Sequence, residues 1–281
     1  MRADVQHLYR SDDRSAWTES VPAAPTTDAE AASYSQECAL VARRELDPTT
    51  QHVMLHSVTV QSPLIRKVLG ITFKGLDGIN TQLRQLTFKA PFHPFYYRWH
   101  RFERLCADEE SLEVKEHLEL LYSIMKEEIT PHIDTVTDLI KNGVAGFDYL
   151  WAIFTPGVEL YTQWEGQDRV VELTDSRYGA NMGGEYFTLE YRYIECDGTD
   201  FGFVSGSVDI SKFDGVKELV DLDAFPVHLY PEIEQLVDRL RFRGKKFEQL
   251  NGFHHVGYSG FYTTRSSRQN RKRHVSGLDS L

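Results

Sequence analysis

Between Ser111 and Ile129 the apolar positions Val114, Leu118, Leu121, Met125 and Ile129 recur every three or four residues. Glu113, Lys115, Glu116, Glu119 and Lys126 fall largely off that stripe. The spacing predicts an amphipathic helix with one face toward a core. Thr130 and Pro131 then predict a cap and a fresh helix start, with Ile133, Val136 and Ile140 inward and a stop at Asn142-Gly143. Upstream, Phe95, Trp99, Phe102 and Cys106 predict a helix starting after Pro94, and Pro63 opens a short one holding Leu64, Ile65, Val68 and Leu69. Downstream, "GFDYLWAIF" predicts a short buried helix closed by Pro156-Gly157.

At Val158 the period changes to two. "VELYTQW", "RVVELTDSRY", "EYFTLEYRYIE" and "FGFVSGSVDI" predict strands. The intervening "EGQD", "GANMGG" and "CDGTD" predict hairpin turns, because Gly, Asn and Asp accept positive φ. Four strands at this spacing make an antiparallel meander or a small barrel. "FDGVKELVDLDAFPVHLY" adds one or two strands, Pro231 starts a last helix, and "HHVGYSGFY" predicts a closing strand. Before all this, His52–Val60 and "LRQLTFKAPF" predict two further strands.

The expected class is α+β: a helical N-terminal half packed on the meander or barrel, with a C-terminal helix. Residues 1–50 are expected to be disordered, since "TESVPAAPTTDAEAAS" carries too little apolar surface to offset ordering entropy. Within them only "SQECALVARREL" suggests a short helix, ended by Pro48. Residues 51–262 are expected to form one domain, mainly helical over 51–157, mainly β over 158–230, then a helix and strand over 231–262. A basic flexible tail over 263–281 follows.

The 281 residues carry a net charge of −11. Arg265, Arg268, Arg271, Lys272 and Arg273 against Asp279 put residues 265–281 at +4, so the rest stands at −15. The acidic body argues against phosphate-backbone binding except weakly through this tail, whose five cations are the candidate polyanion-binding residues. Cys38, Cys106 and Cys196 are odd in number and form no CxxC, which fits a reducing compartment, cytoplasmic or nuclear. The N-terminus has no apolar leader and nothing approaches a membrane span.

The chemistry is sparse. GxxxxGK[ST], which cradles phosphates, is absent; in "FRGKKFEQL" Phe247 stands where a hydroxyl would hold magnesium. His254-His255 are adjacent, so in a strand they point apart and rarely ligate one ion. His117 has no second histidine a turn away. Cys196 precedes Asp197-Gly198 in a hairpin, and Cys106 faces a core. Glu109-Glu110 and Glu127-Glu128 read as solvated faces. No catalytic, cofactor or metal residue is therefore assigned. An enzyme site in the β region stays open as an alternative, with Glu190, Tyr191, Arg192 and His228 as its candidate side chains.

The order of landmarks carries more than any one residue. "SPLIRKVL", "LTFKAPFHPFYYRW", "KEHLELLYSIMKEEI" and "GFDYLWAIFTPGVELYT" come first, then "YFTLEYRYIECDGTDFGF", "DISKFDGVKELVDLDAFPVHLYP" and "GKKFEQLNGFHHVGYSG". From about Val53 to Gly260 this series resembles the N-terminal domain of unknown function that precedes the motor in filamentous-fungal AAA+ ATPases. The resemblance implies an interaction or regulatory module that recruits protein partners or substrates. It implies ATP only where an ATPase core is present in the full-length protein. The basic tail then reads as the start of the connection to that motor.

Overall fold

The computed structural model describes residues 1–11, 15–19, 38–47, 52–76, 78–83, 86–164, 166–197, 199–249, 252, 255–266 and 269–280. The described chain is α+β and divides into two compact units, Met1–Thr155 and Pro156–Leu281. The division falls beside the change of period at Val158.

The first unit is built on a four-stranded sheet in the order β1 (Arg2–Arg10), β2 (Cys38–Leu46), β3 (Val53–Val60), β4 (Leu86–Lys89). β1 and β2 run parallel and the other pairs antiparallel. Both N-terminal strands correct the expectation of disorder over 1–50, and β2 replaces the short helix expected at "SQECALVARREL". The reason lies in long-range pairing: Cys38–Ala42 are all buried between β1 and β3, so this run is sheet interior. Gln6 and Leu8 are the buried positions of β1. Arg10 reaches Glu45 at 2.9 Å and lies 4.5 Å over the Trp17 ring. Residues 20–37, which include most of "TESVPAAPTTDAEAAS", lie outside the described residues.

Helices α1 (Pro63–Thr72), α2 (His93–Tyr97), α3 (Trp99–Ala107) and α4 (Leu112–Lys141) belong to this unit. Leu40, Val58, Val60, Ile65, Leu69, Phe88, Phe95, Phe102, Leu118, Leu121 and Met125 share one core. The rings of Phe73, Phe88 and Phe102 each lie within 5.5 Å of Phe95. Ser62 caps α1, its Oγ accepting from the Ile65 N–H at 3.4 Å, and also meets His117 Nδ1 at 2.9 Å. The predicted stripe of α4 is buried at Leu118, Leu121, Met125, Ile129 and Val136. The helix does not restart at Thr130; it runs through Pro131. Ile129 and Val136 keep one face in the core on both sides of the proline, and that packing holds the two segments in one helix. A short strand β5 (Val144–Gly146), a 3-10 turn and helix α5 (Leu150–Ile153) follow.

The second unit is a five-stranded antiparallel sheet in the order β11-β6-β7-β8-β9. Its meander is β6 (Glu159–Trp164), β7 (Gln167–Asn181), β8 (Gly184–Cys196) and β9 (Phe201–Ser211). β10 (Val216–Glu218) precedes β11 (Ala224–Pro226), which pairs back onto β6. Gly166 at φ 76° and Gly184 at φ 117° turn the first two hairpins, conformations that only glycine adopts freely. The sheet is open, with β9 and β11 as its edges, so the barrel alternative does not form. Helix α6 (Ile233–Gln249) follows, beginning just after Pro231. Among the described residues β12 (His255–Ser266) pairs only with β13 (Gln269–Ser280), so the expected closing strand instead joins a hairpin that includes most of the expected tail. Among the described residues no helix is long and apolar enough to cross a membrane.

Candidate functional site: a groove between a helix and a sheet

Strand alternation places Val170 and Glu172 of β7, Arg192 and Ile194 of β8 and Phe203 of β9 on one face, because Glu172 opposes Arg192 and Ile194 opposes Phe203. The other face carries Leu160, Val171, Leu173, Leu189 and Tyr191, all buried. Across the first face α6 sets Leu240, Arg243, Gly244 and Phe247. The space enclosed between helix and strands is about 560 Å³, within the usual range for ligand sites.

Two polar anchors hold the helix over this face. Asp168 accepts from Tyr161 at 2.8 Å, from Gln163 at 3.1 Å and from Arg239, and its main-chain carbonyl accepts from Arg243. Burial alone pushes the Asp168 carboxyl up, but the Tyr161 and Gln163 hydrogen bonds with the Arg239 charge outweigh it and leave it below its ordinary value. At the far end the Phe247 ring meets Phe201 edge-on at 5.5 Å.

The floor of the groove is an ion pair under apolar walls. Arg192 donates from Nε and Nη2 to both Glu172 oxygens, at 2.9 and 2.8 Å. Those hydrogen bonds lower the Glu172 carboxyl and raise the Arg192 guanidinium. The same guanidinium lies 4.6 Å over the Phe203 ring. Ile194 and Phe203 remain 59% and 64% exposed, so the rim offers apolar surface to solvent. At Gly244 an added Cβ would meet nothing within 4 Å, so the helix leaves that part of the groove unfilled.

The four side chains that the sequence offers for an enzyme site are not brought together. Glu190 is paired with Arg177 at 2.5 Å and Arg192 with Glu172, Tyr191 lies on the opposite face, and His228 is exposed in a 3-10 turn. Of the five tail cations, Arg265 lies in β12 opposite Asn270. Arg271, Lys272 and Arg273 lie in β13 opposite Thr264, Thr263 and Tyr262. Arg268 and His254 lie outside the described residues.

A second constellation, in the first unit, was not visible in the sequence. Trp151 is ringed by His93, stacked at 4.1 Å, by Tyr96 at 4.9 Å and by His132 edge-on at 5.6 Å. Burial, then the His132 charge, pushes His93 down to about 4, and its Nε2 is enclosed without a hydrogen-bond partner. These residues come from α2, α4 and α5, so no local spacing signals them. Cys106 is pushed up to about 12 by burial, then by Glu119 and Glu103, and its thiol stays protonated. Among the described residues no three or more His, Cys, Asp or Glu side chains gather as a metal site.

A family model described as "Domain of unknown function (DUF7025)" matches residues 135–231. The match runs from the last turns of α4 through β5 to β11, and so contains the groove's strands but not its helix. No curated protein and no solved structure matches the chain.

Proposed function

We propose that the chain is a non-catalytic interaction and regulatory module working with an AAA+ ATPase of the filamentous-fungal group, to which it recruits protein partners or substrates. The groove under α6 is the surface that meets the ATPase core. One observation carries this reading: Glu172 and Asp168 are already committed to Arg192 and Arg239, while the groove's apolar rim is open. A catalytic pair needs titrations pushed toward neutrality. Glu172 and Asp168 are instead held low as acceptors, which suits orienting a bound partner. The ATPase link rests on the series of landmarks from Val53 to Gly260, three of which fall wholly within residues 135–231. A cytoplasmic or nuclear setting fits the reduced thiols of Cys38, Cys106 and Cys196.

Gly244 lines the groove and a Cβ there meets nothing within 4 Å, so Gly244→Trp adds an indole at the groove from an unobstructed backbone position. Sedimentation of the full chain with the purified ATPase core of such a protein is expected to show a complex that Gly244→Trp weakens at least about tenfold, ~1.4 kcal/mol. Absence of a complex at any concentration, or full affinity in the substituted chain, would overturn the reading.

A further inference from the structure

We propose that β9 is the seam of a symmetric dimer of this chain, two copies pairing antiparallel, edge to edge, about Gly206. This goes beyond the groove and does not depend on it. β9 is the last strand of its sheet, and among the described residues nothing pairs with its outer edge. A long edge strand is ordinarily guarded by proline, lysine or a bulge. Phe201–Ser211 has none of these; its one charge is Asp209, and its pairing with β8 is regular over eleven residues. Phe201, Phe203 and Val204 are exposed along it.

The occupant is read from the strand itself. Val204-Ser205-Gly206-Ser207-Val208 is a palindrome. Antiparallel pairing about Gly206 sets Val204 opposite Val208 of the second copy, Ser205 opposite its Ser207, and Gly206 opposite its Gly206. Apolar and hydroxyl pairs of this kind are the favourable cross-strand combinations. No like charges meet. Asp209 of each copy opposes Phe203 of the other. At Gly206 a Cβ would stand 2.7 Å from the Tyr191 ring, so that ring covers one face of the strand at the axis and glycine alone fits there. The operation is a closed two-fold, the commonest symmetry of oligomers. It keeps side-chain parity, so both grooves face the same side of a continuous ten-stranded sheet. An eleven-residue seam is smaller than the standard interface of about 1,600 Å², so a weak, reversible dimer is expected and is sought from roughly 1 to 100 μM.

The register makes the test specific. Sedimentation velocity of the full chain across that range is expected to show a reversible monomer–dimer equilibrium. Ser205→Lys with Ser207→Lys puts lysine opposite lysine at both positions and is expected to weaken dimerisation at least tenfold. Ser205→Glu with Ser207→Lys puts opposite charges together and is expected to restore it. Circular dichroism checks that each variant folds. Independently of any variant, amide exchange in residues 201–211 of the unaltered chain is expected to slow as concentration rises. A monomer throughout, a dimer indifferent to the lysine pair, or failure of the Glu/Lys variant to recover would each overturn the proposal.

Discussion

Phe95 is fully buried, and three aromatic rings meet it from α1's end, β4 and α3. Removing its ring leaves a cavity that these rigid neighbours cannot close, so Phe95→Ala is expected to cost about 3–5 kcal/mol in urea unfolding. His93 makes a prediction of different sign with pH. Its folded value, about 4, lies below its ordinary 6.5, so the unfolded chain takes the proton more readily. The stability it contributes is complete above about pH 6.5 and is lost as pH falls toward 4. Allowing for its partial exposure, the loss is on the order of 1–2 kcal/mol. The difference in urea midpoint between pH 7 and pH 4.5 is expected to shrink in His93→Phe, which keeps the stack on Trp151 and removes the titration. An unchanged difference would mean that His93 is not the group responsible. No reading of the sequence could have found this cluster, because His93, His132 and Trp151 meet only through tertiary packing.

Elements with a strong internal period were legible. The α4 stripe and the four strands β6–β9 follow from spacing alone, and the glycine turns at Gly166 and Gly184 fix where the strands reverse. Elements whose order depends on a distant partner were not. β1 is rich in polar residues and becomes a strand only because β2 offers a parallel edge, and β2 looks helical until it is buried on both faces. Tryptic cleavage of the folded chain at Arg43 and Arg44 is therefore expected to lag far behind that of exposed sites, and rapid cutting there would contradict the strand. Pro131 misled for a related reason: local rules end a helix there, but core contacts on both sides carry it through. Its ring and missing N–H still strain the helix interior, so Pro131→Ala is expected to stabilise by roughly 1–2 kcal/mol, less than the full proline penalty because the unfolded chain also gains freedom. Ser62→Ala removes the α1 cap and the partner of buried His117, and is expected to cost about 1–2 kcal/mol.

Taken as one chain, the protein separates its properties by region. The acidic character lies in the body, while α6 brings Arg239, Arg241, Arg243, Lys245 and Lys246 together. The fold shows that Arg239 and Arg243 fasten the helix over the sheet through Asp168, and so create the groove. The strands of the groove fall inside the matched family region of residues 135–231 and its helix outside, so the groove combines the two. Amide exchange on the full chain, free and with the ATPase core, tests this most directly. Slowed exchange is expected in Val170–Glu172, Arg192–Ile194 and Leu240–Phe247, with residues 263–281 unaffected. Protection confined to residues 263–281, or to the first unit, would contradict it.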